Sequence, residues 1–106
     1  MNRAYIFPTG FIWGASTAAH QIEGNNVASD WWVREHALHT DVHEPSGDAA
    51  DSYNRYEAGI RLLANAGWGM YRFSVEWARI EPAEGCFSKV ELLHYRRMID
   101  VCHANG

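Results

Sequence analysis

Apolar and polar positions along the chain fall into segments of two periods, two and about 3.6, and these predict strands and helices in alternation. Residues 11–17, FIWGAST, open with bulky side chains and close with small ones. They predict a short buried strand in which Gly14, Ala15 and Ser16 allow another backbone to approach closely. Residues 24–48 have no period and are punctuated by Gly24, Pro45 and Gly47, which predicts a long polar loop. From 49 to 66, Ala49, Tyr53, Tyr56, Ile60 and Leu63 recur on one helical face, with Asp48 as the N-cap and Gly67 as the stop. Gly59 is the weak point of that helix, at about 1 kcal/mol relative to alanine. Residues 68–76, WGMYRFSVE, alternate as a strand. Tyr71, Phe73 and Val75 point one way, and Met70, Arg72, Ser74 and Glu76 the other. Residues 89–104 predict a second helix opened by a Ser88/Glu91 capping box and a Phe87/Leu92 hydrophobic staple. Its apolar face is Leu92, Tyr95, Ile99 and Cys102, and Asn105 and Gly106 end it.

The order strand, helix, strand, helix predicts a parallel α/β sheet. Two parallel strands leave open edges and uncovered faces. A closed barrel of eight strands takes about 250 residues. The chain therefore reads as the first two βα units of an incomplete (β/α)8 barrel, with 1–106 the N-terminal part of one barrel domain. A doubly wound sheet would also need more strands. In a barrel the outer face of a strand packs on helices, and the inner face turns polar at its C-terminal end, where active sites form. Arg72, Ser74 and Glu76 fit that inner face. A buried arginine there needs a carboxylate, and the first strand offers none.

Composition narrows the function classes. Hydrophobic residues at 47% argue against disorder. The net charge of -4, without a basic stripe, argues against a nucleic-acid partner. No apolar run reaches the ~20 residues of a membrane span. The opening MNRAYIFPTG lacks an apolar signal core, which points to the cytoplasm. Cys86 and Cys102 form no CxxC and read as reduced structural thiols. The five Trp suit stacking on sugar rings, although taken alone they read first as core. His36, His39, His43 and Glu44 have a spacing compatible with metal ligands, but on a polar loop they read as solvated side chains. Glu76, Glu81 and Glu84 lie too close together on one loop to flank a sugar from two sides. Glu76 faces the cleft in this reading, and Glu81 and Glu84 face solvent.

Four segments carry a family pattern. FIWGASTAAHQIEG (11–24) resembles the N-terminal signature of family 1 glycoside hydrolases, the β-glucosidase family. SGDAADSYNRYEAGIRLLANAG (46–67) resembles its first barrel helix, YRFSVEWARIEP (71–82) its second strand and following loop, and HYRRMIDVCHANG (94–106) its second helix. The resemblance implies a (β/α)8 barrel and a retaining glycosidase with two catalytic Glu. These stand in a TxNEP-type motif after the fourth strand and a TENG-type motif after the seventh. Neither motif occurs in the chain, so no catalytic residue is expected here and the chain alone is expected to be inactive. The implied reaction is hydrolysis of β-O-glycosidic bonds in a β-glycoside or oligosaccharide, without cofactor or metal, nucleic acid or membrane. Gln21 matches the glutamine of the QIEG motif, a ligand for sugar hydroxyls, since an amide both donates and accepts. Arg72 matches the arginine that supports the nucleophilic carboxylate. The structural alternatives are a loop-capping amide for Gln21 and a barrel salt bridge for Arg72. His20 departs from the Tyr or Phe common in the family, and Trp31 and Trp32 form a doublet where one Trp is usual. A different class remains open: a non-catalytic carbohydrate-binding piece built on the Trp-rich loops, or an orphan truncated product. Two amphipathic helices argue against a lectin-like β sandwich.

Overall fold

The computed structural model describes residues 4–106. The elements run β1 (Gly14–Ser16), α1 (Ala19–Ile22), α2 (Asp30–His36), α3 (Ser52–Asn65), β2 (Met70–Arg72), α4 (Trp77–Ile80) and α5 (Lys89–Ala104). The strands pair in parallel, with Gly14 opposite Met70, Ala15 opposite Tyr71 and Ser16 opposite Arg72. The expected alternation is present, with three short helices added. Besides α1, which follows β1 directly, one lies within the segment read as a loop, and the other follows the strand that ends early.

Local chemistry explains each boundary. A Cβ on Gly14 would stand 2.7 Å from the Met70 carbonyl oxygen, so the small-residue run does bring two backbones together. The ladder stops after three pairs because β1 turns away. The Thr17 N–H donates to the Arg72 carbonyl at 2.9 Å, and the Ala19 N–H then donates to Ser74 Oγ at 2.8 Å. A side chain, not a strand, therefore holds 73–76 against α1, and Glu76 caps α4 by accepting from the Ala78 N–H. In α2, Ser29 Oγ accepts from the Trp32 N–H at 3.1 Å, an N-cap that places the Trp doublet on a helix. α3 starts at Ser52 because Ala49 and Asp51 hold φ of 45° and 52°, which no helix tolerates. Asp48 does not cap it and instead accepts from Asn25 Nδ2 at 2.7 Å. Gly67 follows the last turn at φ 89°, as expected.

The capping box of α5 is half realised. Ser88 Oγ accepts from the Glu91 N–H at 3.3 Å, but the Glu91 carboxylate accepts from the Tyr53 hydroxyl, tying α5 to α3. Phe87 meets the edge of Trp77 at 6.2 Å. The buried face of α5 is His94, Tyr95 and Met98, whereas Leu92 and Ile99 stay 47% and 44% exposed. Tyr71 and Phe73 face a 340 Å³ groove between α3 and α5, which is the helix side expected of them. Val75 is exposed.

The apolar core is small: Ile80, Tyr95 and Met98, with Tyr56 and Phe73 packed against them. The radius of gyration is 17.2 Å, against about 13 Å for a compact domain of this length. Phe11, Ile12, Trp13, Met70 and Trp77 are about half exposed. Their faces await further structure, as two units of a larger barrel would require. Among the described residues, no helix is long and apolar enough to cross a membrane.

His94 links α3 and α5. Its ring stacks on Tyr53 at 4.0 Å and meets Tyr56 and Tyr95 edge-on, and its buried Nε2 has no partner. Burial pushes the imidazole below its ordinary value of 6.5, against the pull of Glu91 and with the help of Arg79 and Arg97. The folded form thus prefers neutral His94, and its contribution to stability is full above pH 6.5 and is lost as pH falls toward the depressed folded value. Melting curves across pH should therefore shift against the protein relative to His94→Phe as pH falls from 6.5 to the depressed folded value, with a constant difference on either side of that window.

Candidate functional site

Because β1 and β2 are parallel, the segments leaving them emerge at one edge. α1 follows β1 there, and 73–76 and α4 follow β2. Thr17 Oγ1 and the Tyr71 hydroxyl, 2.6 Å apart, fasten the two exits together. Arg72 ends β2 and Gln21 lies on α1, so both candidate residues occupy this edge.

The best-buried side chains at the edge are polar. Glu23 is 3% exposed and Asn26 1%. The Glu23 carboxylate accepts from Arg79 Nε at 3.1 Å and from the Tyr95 hydroxyl at 3.0 and 2.8 Å. Arg79 also donates to the Gly24 carbonyl at 2.9 Å and lies over the Tyr53 ring. The Tyr95 hydroxyl in turn accepts from the Glu76 N–H at 3.0 Å. Burial pushes the Glu23 carboxyl up, outweighing the Tyr95 hydrogen bond and the Arg79 charge that pull it down. Burial and Glu23 push the Tyr95 hydroxyl far above its ordinary range, against the Glu76 N–H, so it stays a donor.

A second group surrounds His20. Its Nε2 stands 2.6 Å from Glu35 Oε1, and the other Glu35 oxygen accepts from Ser46 Oγ at 2.9 Å. Burial raises the Glu35 carboxyl, but the His20 and Ser46 hydrogen bonds prevail and hold it below its ordinary range. Asn26 Nδ2 bridges His20 Nδ1 at 3.3 Å and Glu76 Oε2 at 2.7 Å. The two groups thus fasten α1 to α2, α4 and α5.

Gln21 and Arg72 stand apart from this network. Both side chains are exposed, and neither takes part in a hydrogen bond or ion pair among the described residues. Gln21 lines a 250 Å³ cavity with Ala18, His20, Trp31, Glu35 and Val42. The cavity has one aromatic wall and several polar groups, a surface suited to a polar ligand with an apolar face.

The remaining sequence candidates are dispersed. His36 stacks on Trp32 and bonds its carbonyl through Nδ1 at 2.8 Å, while His39, His43 and Glu44 are exposed. Among the described residues, no group of three or more His, Cys, Asp or Glu is arranged to hold a metal. Glu76 serves Asn26 and the start of α4, and Glu81 accepts from Trp77 Nε1 and the Gly85 N–H, both at 2.8 Å. Cys86 and Cys102 are free. Sequence reasoning missed the Glu23–Arg79–Tyr95 cluster. Its signal was a carboxylate and a guanidinium each embedded among apolar neighbours, in QIEG and WARI.

The profile of glycosyl hydrolase family 1 matches residues 3–106. Thermostable beta-glucosidase B of Thermobispora bispora is 42% identical over 105 residues, covering 94% of this chain and 22% of the relative. The crystal structure of beta-glycosidase BGL167 superposes with a TM-score of 0.91 at 56% identity, over 94% of this chain and 24% of that one. The family 1 β-glucosidase of Thermotoga maritima gives a TM-score of 0.86 at 36% identity, over 94% and 25%. The chain thus spans about a quarter of the length of these relatives and corresponds to the N-terminal part of their barrel. Motif order, parallel pairing and superposition agree: the chain belongs to glycosyl hydrolase family 1.

Proposed function

We propose that residues 1–106 are the N-terminal part of a single barrel domain in a retaining β-glycosidase, where they supply a sugar ligand, Gln21, and a support for the nucleophile, Arg72. One observation carries this reading. At an edge where the buried polar side chains are tied into networks, these two are exposed and uncommitted. The Gln21 amide offers a donor and an acceptor to neighbouring hydroxyls. The Arg72 guanidinium keeps a facing carboxylate ionised and oriented. The catalytic Glu pair belongs to later strands, so the chain by itself turns over no substrate.

The test is the pH dependence of kcat/KM on aryl β-glycosides for the complete enzyme, with the isolated chain as an inactive control. Arg72→Ala should cost about 10²-fold and move the acidic limb upward, because a carboxylate without its counter-charge titrates higher. Arg72→Lys should recover only part, since an ammonium lacks the planar fork. Gln21→Ala should cost roughly 10- to 100-fold, and the loss should shrink on a deoxy-sugar lacking the hydroxyl it binds. Unchanged rates and an unchanged acidic limb in both variants would refute the assignment.

A further inference from the structure

The four-residue α1 is too short to hold itself, so its neighbours decide where Gln21 points. Glu23 secures one end through Arg79 and Tyr95. His20, three residues earlier, secures the adjoining face of the turn. Successive residues of a helix are rotated by about 100°, so pinning positions 20 and 23 turns the side chain between them away from both anchors. From there Gln21 reaches the cavity that Trp31, His20 and Glu35 also line.

We propose that His20 is a positioning residue that acts through Gln21, by way of the hydrogen-bonded chain Glu35–His20–Asn26–Glu76. The proposal rests on the reading of Gln21 as a sugar ligand. The chain of bonds has one direction. The Glu76 carboxylate only accepts, so the Asn26 amide nitrogen donates to it at 2.7 Å. The same nitrogen faces His20 Nδ1 at 3.3 Å, which makes Nδ1 the acceptor and leaves the ring proton on Nε2. Nε2 then donates to Glu35 Oε1 at 2.6 Å, and Ser46 occupies the other oxygen. Ser29 Oγ, 3.4 Å from Nδ1, gives its proton to the Asn26 carbonyl and does not compete. Asn26 Oδ1 is buried without a partner. Turning the amide over to satisfy it would aim that oxygen at the Glu76 carboxylate, so the orphan is the consequence of holding the amide, and with it the ring, in one orientation. Trp31 covers the ring at 6.1 Å, nearly parallel to it.

The test is a double-mutant cycle in the complete enzyme. His20→Phe keeps the ring and its stack on Trp31 but removes both nitrogens. It should lower kcat/KM by roughly 10- to 100-fold in the parent and change little in a Gln21→Ala background, because the side chain it aims is already gone. His20→Gln, which still reaches toward Glu35 with an amide, should recover part of the loss. If His20→Phe yields no folded protein, the same cycle with His20→Gln shows a smaller loss that again vanishes with Gln21→Ala. Equal fold-losses in both backgrounds would mean that His20 only supports the fold, and would overturn the proposal while leaving Gln21 a sugar ligand. A Gln21→Ala enzyme with full activity would overturn the reading of Gln21 and this inference with it.

Discussion

Gly24→Ala is expected to prevent the edge from forming at all. Gly24 holds φ 85°, and a Cβ there would lie 2.3 Å from the Asp48 carbonyl oxygen and 2.9 Å from its carbon. Both are backbone atoms and cannot swing aside. Asn25 fixes the same contact, donating from its N–H to the Gly47 carbonyl at 2.7 Å and from its amide to Asp48. Left-handed strain for alanine costs about 1–3 kcal/mol, and relieving the clash means separating the α1 and α3 ends, which puts the total loss above about 4 kcal/mol. Gly59→Ala is the internal control. Its Cβ meets nothing within 4 Å in the middle of α3, so it should stabilise by about 0.5–1 kcal/mol. Urea midpoints of the two variants should therefore move in opposite directions, and a Gly24→Ala midpoint close to that of the parent would refute the argument.

Glu23→Ala is the second large effect. It leaves Arg79, whose side chain is only 17% exposed, with a carbonyl and a tyrosine face but no counter-charge. Breaking a buried pair from one side costs about 3–5 kcal/mol. The desolvation of two buried charges offsets much of their attraction, so a buried pair adds little over apolar residues of similar volume. Removing both charges, as in Glu23→Met with Arg79→Met, should therefore cost less than Glu23→Ala alone. Denaturation midpoints of the single and double variants decide this, and a double variant worse than the single would show that the pair stabilises in its own right.

Much of the fold was legible because it rests on period and punctuation. Leu92, Tyr95, Ile99 and Cys102 located α5 at residues 89–104, the range observed, and Gly67 marked the end of α3. What was not legible depends on partners distant in sequence. Nothing local says that Asp48 serves Asn25 instead of capping a helix, or that Glu91 leaves its capping box for Tyr53. β2 ends at Arg72 because of where β1 turns, a fact about residue 17. α2 was legible in principle: Ser29 and Asp30 are a strong N-terminal pair, masked by the polar run around them. At the site, the family pattern pointed to Gln21 and Arg72. The network that orients α1 left one local sign, a charged residue among apolar neighbours in QIEG and in WARI, but its pairing was not legible, because Glu23, Arg79 and Tyr95 become neighbours only after folding.

That separation also sets an order of events during synthesis. Glu23 meets Arg79 56 residues later and Tyr95 72 residues later, and Asn26 meets Glu76 50 residues later. At 5–20 residues per second, roughly 4–14 s pass between the making of Glu23 and of Tyr95. For the first 56 of those 72 residues α1 has neither anchor at its Glu23 end, and it has too few residues to hold a turn alone. The turn bearing Gln21 is thus made well before the side chains that give it its shape.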